Sequence, residues 1–144
     1  MLVQVILKSK ASTGVVTVKP DASVAEAAKV MSDNRFGTVV VSADGETPEG
    51  ILSERDIVRE LSKEGASCLD QPVSGYMTRE LVTCTTQSNV GELLQQMTEG
   101  RFRHMPVVED GKLVGIVTLG DAVKAQLAQV AMEKDALQDM IMGH

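Results

Sequence analysis

Two turns in this 144-residue chain place a hydroxyl three residues ahead of a carboxylate: Ser53-Glu54-Arg55-Asp56 and Thr118-Leu119-Gly120-Asp121. A carboxylate presents two acceptor oxygens, enough to take both hydroxyls of a vicinal diol such as that of a ribose. Where such a pair opens a helix, unpaired backbone N–H groups and the positive end of the helix dipole stand beside it and suit a phosphate. The same spacing also serves a helix with no ligand at all, because a capping hydroxyl and a first-turn carboxylate satisfy backbone donors that the helix leaves over. From these residues alone both readings stand.

The other chemistry-bearing side chains are few. Arg103 and His104 lie together in Arg101-Phe102-Arg103-His104, and Arg103 is the cation read as an anion contact. Arg35 and Arg101 read as solvated cations near carboxylates. His104 reads equally as a hydrogen-bonded, half-buried imidazole or as a ligand contact, and His144 is terminal. Cys68 and Cys84 fall outside any metal-ligand spacing and are expected as thiols in a reducing cytosol. Acid/base pairs, a nucleophile with an adjacent base, and glycine-rich phosphate loops are all missing, so neither catalysis nor a catalytic cofactor is expected.

The elements that must position these residues come from an internal repeat. A shift of 66 residues superposes Val16 on Val82, Val24 on Val90, Glu26 on Glu92, Met31 on Met97, Arg35 on Arg101, Phe36 on Phe102 and Val41 on Val107. After Gly45 the shift becomes 65 and superposes Gly50 on Gly115, Ile51 on Ile116, Asp56 on Asp121 and Val58 on Val123. Each copy reads as strand, helix, strand, turn, strand, helix, with a boundary that gives residues 1–70 to the first copy and 71–144 to the second.

The first strands are 15–18 and 81–84, and the middle strands 38–41 and 105–108. Asp44-Gly45 and Asp110-Gly111 are expected to close tight hairpins onto returning strands at 50–52 and 113–117. Ser23 and Asn89 stand three before Glu26 and Glu92 and predict helix starts. The stripes Val24, Ala27, Ala28, Met31 and Val90, Leu93, Leu94, Met97 recur at helical spacing and predict the buried faces. Residues 1–8 are too short and interrupted for a signal peptide or a membrane span and read as a docking helix; 71–75 read as the breaker between copies.

Composition bounds the function. With 43% hydrophobic residues but only Phe36, Phe102 and Tyr76 as aromatics, aliphatic side chains must fill the core. Fourteen basic against twenty acidic residues give a net charge of −6 with no basic run, which argues against nucleic acid as a partner.

The two segments Gly50-Ile51-Leu52-Ser53-Glu54-Arg55-Asp56 and Gly115-Ile116-Val117-Thr118-Leu119-Gly120-Asp121, with Arg101 to Val108 as a middle strand, resemble the cystathionine β-synthase (CBS) family. The resemblance implies an α/β (α+β) fold of two tandem CBS motifs, each a small three-stranded sheet with two helices, packed about a pseudo-two-fold axis as a Bateman module. It also implies that the Asp holds ribose hydroxyls, that the Ser or Thr lies near phosphate, and that the helix start of one copy faces the strands of the other. One implied site joins Ser53, Arg55 and Asp56 to Val82, Phe102, Arg103, His104 and Met105. The second joins Thr118, Leu119 and Asp121 to Val16, Phe36, Gly37 and Thr38, where Gly37 and Thr38 replace the cationic Arg103 and the imidazole of His104.

The expected function is that of a cytoplasmic regulatory module. It binds AMP, ADP, ATP or NAD(H), or alternatively S-adenosylmethionine or another adenosine derivative, and signals to an unknown effector protein. A ligand-free structural dimerisation module is the rival reading. The family's two-fold dimers point to a homodimer, as does the helix that starts near Asp121 and runs to about Met142, leaving Leu137, Met140, Ile141 and Met142 uncovered.

Overall fold

A computed structural model describes residues 1–10 and 15–143, so His144 lies outside the described residues. In chain order it contains α1 (Val3–Ser9), β1 (Thr17–Val18), α2 (Val24–Asn34), β2 (Thr38–Val41), β3 (Gly50–Ser53), α3 (Glu54–Glu64), α4 (Val90–Gly100), β4 (His104–Glu109), β5 (Lys112–Thr118) and α5 (Leu119–Ile141). Two short 3-10 turns, Gly65–Asp70 and Val73–Gly75, lie between α3 and α4. The described residues fall into two compact units. One takes residues 15–83 and 108–114, the other residues 1–10, 84–107 and 115–143. Helix α1 thus precedes the first copy in the chain but packs in the unit built from the second.

In the first-copy unit β2 is central, parallel to β1 and antiparallel to β3, with Thr38 opposite Ser53 and Val39 opposite Leu52. Ser23 caps α2 by accepting the Glu26 N–H at 3.1 Å, and Val24, Ala27 and Met31 then present a buried stripe at helical spacing. They pack with Val18, Val39, Val41, Leu52, Ile57, Val73 and Met77 into one aliphatic core. The expected breaker is part of this unit: Val73 is fully buried, the Val24 N–H donates to the Gln71 carbonyl, and Ile51 and Thr78 exchange backbone hydrogen bonds across the free edge of β3.

That crossing explains Gly50, since a methyl there would stand 2.5 Å from the Met77 sulfur and 3.0 Å from the Thr78 carbonyl oxygen.

The second-copy unit repeats this plan with departures. Asn89 caps α4 through the Gly91 and Glu92 N–H groups, and Val90, Leu93 and Met97 join Val3, Ile6, Cys84, Met105, Val107, Val117 and Ala122 in a second core. The strand expected at 81–84 is reduced to one parallel bridge between Cys84 and Val107, so the sheet has two strands, β4 and β5, rather than three. Pro106, at the position of Val40, accepts the Cys84 N–H at 3.0 Å but has no N–H to give back, and pairing stops there. Gly115 matches Gly50: a methyl would stand 2.7 Å from Leu7, so in this copy α1 occupies the place taken by Met77 and Thr78 in the other.

The hairpins also differ. Asp110 and Gly111 both have positive φ and close β4 onto β5 in two residues, as expected. Asp44-Gly45 lies instead in an eight-residue connection, where Asp44 accepts the Glu46 and Thr47 N–H groups and folds the loop on itself. With one added residue and a β2 that ends at Val41, the connection holds a side-chain-held turn in place of a tight one. Arg35 and Arg101 end α2 and α4 with identical left-handed backbone angles, φ 57° and ψ 39°, so the repeat extends to an unusual conformation for a non-glycine residue.

Candidate functional site

Both Ser/Thr-x-x-Asp turns are reciprocal capping boxes. Ser53 ends β3 in extended geometry and its Oγ accepts the Asp56 N–H at 3.1 Å, while Asp56 Oδ2 accepts the Ser53 N–H at 2.9 Å. At α5 the Thr118 Oγ1 accepts the Asp121 N–H at 3.1 Å and Asp121 Oδ2 accepts the Thr118 N–H at 3.0 Å. A strand passing straight into a helix leaves the cap residue extended and the first-turn donors unpaired, and the hydroxyl and carboxylate satisfy them. Each carboxylate is thereby held in one orientation, with acceptor capacity left over, since a carboxylate has about four lone-pair sites.

A second contact ties each helix start to its own middle strand. The Glu54 N–H donates to the Gly37 carbonyl at 3.0 Å, and the equivalent Leu119 N–H donates to the Arg103 carbonyl at 2.8 Å. Within the first-copy unit the chain therefore gathers Phe36, Gly37 and Thr38 beside Ser53 and Asp56, and within the other it gathers Phe102, Arg103 and His104 beside Thr118, Leu119 and Asp121. Each site implied by the resemblance draws on residues of both units. What one unit brings together by itself is a helix start and its own middle strand.

Arg55 and Arg103 are exposed, Phe36 and Val82 are exposed over somewhat less than half of their surface, and Val16 and Gly37 are half-buried. Phe102 is half-buried and packs against the second core, and His104 is half-buried at the start of β4. Two side chains are committed elsewhere. Met105 is fully buried within the second core, and Thr38 is buried on the central strand β2, all four residues of which are buried. The Met105 side chain is taken up by that core, which leaves its backbone groups for a ligand.

The cations on the two carboxylates were not among the expected site residues. Arg59 Nη2 reaches Asp56 Oδ1 at 2.9 Å, an i,i+3 pair on α3, and Asp56 is only 14% exposed. Lys10 Nζ reaches Asp121 Oδ2 at 2.8 Å and the Ile116 carbonyl at 2.9 Å, both partners lying in its own unit. Burial pushes the Asp121 carboxyl up, but the hydrogen bond and charge of Lys10 with the Thr118 N–H outweigh it and hold the group below its ordinary range. Arg59 was legible from helix spacing. No spacing rule joins residues 10 and 121.

Cys84 is buried and its thiol is pushed up to about 11 by desolvation, which makes it a poor nucleophile at neutral pH. Among the described residues no group of three or more His, Cys, Asp or Glu side chains is placed to hold a metal ion. Among the described residues no helix is long and apolar enough to cross a membrane. An open groove of about 520 Å³ lies between α2 and α3, lined by Ala28, Met31, Arg35, Phe36, Ile57 and Val58. Ser32, Gly37 and Glu54 also line it, so polar and apolar surface are mixed there.

The CBS domain family matches the chain twice, at residues 7–63 and 73–128. An uncharacterised 17.7 kDa protein of Acidianus ambivalens is 39% identical over 118 residues, covering 81% of this chain and 70% of its own. The crystal structure of the CBS-domain containing protein ATU1752 from Agrobacterium tumefaciens is 43% identical with a TM-score of 0.83, covering 88% of this chain and 99% of its own. The CBS domain pair of protein MJ0100, crystallised in complex with 5′-methylthioadenosine and S-adenosyl-L-methionine, is 25% identical with a TM-score of 0.77, covering 90% and 98%.

Proposed function

The chain belongs to the CBS domain family, with two copies in tandem, and from that premise we propose that it is a regulatory module whose two helix starts bind adenosine-derived ligands. The observation that carries this reading is the pair of carboxylates, Asp56 and Asp121, each fixed by its capping box with lone pairs to spare. A ribose diol donates two hydrogen bonds about one carboxylate apart, and a held carboxylate meets it without ordering cost. AMP, ADP, ATP and NAD(H) share that diol and add phosphate, for which the α3 and α5 N-termini supply positive potential and Arg103 an exposed guanidinium.

A second reading keeps the diol and drops the phosphate. The complex of the similar protein MJ0100 with 5′-methylthioadenosine and S-adenosyl-L-methionine favours it.

Isothermal titration with AMP, ATP, NAD, S-adenosylmethionine and 5′-methylthioadenosine tests both. We expect binding heat from at least one adenosine ligand, with phosphate dependence choosing between the readings. Silence from all five would leave a structural dimerisation module.

Regulation then acts through assembly and a cytoplasmic effector protein. A ligand that prefers one arrangement of the two copies shifts that equilibrium and, by linkage, the affinity for the effector. The assembling partner is a second copy of the chain. Helix α5 spans 23 residues, roughly 34 Å, and leaves Leu137, Met140, Ile141 and Met142 exposed at its end, more apolar surface than one chain covers. Multi-angle light scattering is expected to return twice the 15.4 kDa chain mass. Charged substitutions at Leu137 and Ile141 together should halve it, and a wild-type monomer would refute the assembly.

A further inference from the structure

Lone-pair accounting makes the two carboxylates unequal. Asp56 spends one site on each oxygen: Oδ2 takes the Ser53 N–H and Oδ1 takes Arg59, so each oxygen keeps one place for a hydroxyl. Asp121 spends two on the same oxygen. Its Oδ2 takes the Thr118 N–H and the Lys10 ammonium, which fills it, and among the described residues only Oδ1 is left. A diol that places one hydroxyl on each oxygen fits Asp56 as it stands. At Asp121 it meets an oxygen already taken.

Lys10 is also held in place by more than this ion pair. It follows α1, whose Val3 and Ile6 are buried in the second core and whose Leu7 lies against Gly115. The Val3 and Gln4 N–H groups donate to the Ser88 and Thr86 carbonyls at 2.9 Å, and the Met1 ammonium donates to Gln129 Oε1 at 3.1 Å. The helix thus keeps the ammonium at a high effective concentration beside Asp121. Arg59, by contrast, sits on the same helix as Asp56 with its side chain 53% exposed, so a rotamer change alone would free the carboxylate.

Resting on the ribose reading above, we infer that Lys10 is a tethered competitor for the Asp121 carboxylate, so that an adenosine ligand enters the second-copy site by displacing it. The second site is therefore the weaker, and its filling releases the residue that ends the amino-terminal helix. Occupancy there is reported to the chain's first residues, which occupancy at Asp56 leaves untouched.

The test uses the full chain carrying Asp56→Asn, which silences the first site, titrated with 5′-methylthioadenosine and with AMP. Adding Lys10→Met, which keeps the stem and removes the charge, should tighten both probes by about fivefold, the gain from losing one partly buried ion pair. Lys10→Arg should restore the weaker affinity. Heat that appears only in the Lys10→Met protein supports the same conclusion. Unchanged or weaker binding of 5′-methylthioadenosine overturns it, as does weaker AMP binding with 5′-methylthioadenosine unaffected, which would make Lys10 a phosphate contact. No heat with or without Lys10 overturns it too. If Asp121→Asn in the same background binds as tightly as its parent, the ribose reading itself fails and the competition falls with it; loss on Asp121→Asn with no response to Lys10→Met removes the competition alone.

Discussion

Truncating Leu52 to alanine is expected to lower the unfolding free energy by about 3 kcal/mol, within the range for emptying a fully buried leucine site. Leu52 is wholly inaccessible on β3, opposite Val39 of the central strand, and packs in the core formed by Val18, Val24, Met31 and Ile57. The surrounding core is aliphatic, and Met31 and Met77 are its flexible side chains, so part of the loss is recovered and the cost stays in the lower half of the range for such truncations. Typical domains hold only 5–15 kcal/mol in reserve, so the loss is a large share of it. Urea unfolding followed by circular dichroism should show the midpoint fall with the slope unchanged. Val58→Ala, at a site 65% exposed one turn along α3, should change stability by less than about 0.5 kcal/mol. A Leu52→Ala cost below about 1 kcal/mol would mean that β3 is not packed as described.

That core was legible before any coordinates because its parts repeat. Val24, Ala27 and Met31 recur as Val90, Leu93 and Met97, and all six are buried. The capping hydroxyls and carboxylates at Ser53, Asp56, Thr118 and Asp121 were legible for the same reason, since a cap is a local rule that acts over three residues. What escaped was settled by distant partners or by single atoms. Leu81 to Cys84 has the β-branched look of a strand, yet the missing N–H of Pro106, more than twenty residues on, ends its pairing after one bridge. Asp44-Gly45 has the composition of a tight hairpin, but strand ends eight residues apart let Asp44 build a side-chain-held turn. Met105 stood next to cationic residues that suggest a ligand, and its side chain is buried in the second core. Lys10 carried no signal at all, because the ion pair with Asp121 spans 111 residues and exists only once α1 has docked.

The ligand reading and the purely structural one make opposite forecasts for a single isosteric change. Asp56→Asn or Asp121→Asn keeps one amide oxygen to accept the Ser53 or Thr118 N–H, so the cap survives and stability should fall only by the lost ion pair with Arg59 or Lys10, about 0.2–1 kcal/mol. It also replaces the second acceptor by an NH2 donor, which faces one hydroxyl of a bound diol with another donor. Losing a charged hydrogen-bond partner costs about 1.5–3 kcal/mol, so each variant should bind adenosine ligands roughly 10- to 150-fold more weakly at its own site, as read by calorimetry. Alanine at either position should add the loss of the cap, about 1 kcal/mol of stability, to the same loss of affinity. If the carboxylates serve only as caps, the asparagine variants would bind whatever the wild type binds with unchanged affinity, and the alanine variants would differ in melting alone. Because Asp56 keeps an open place on both oxygens while Lys10 fills one of Asp121, the change at Asp56 should remove the tighter phase of a two-site isotherm and the change at Asp121 the weaker one.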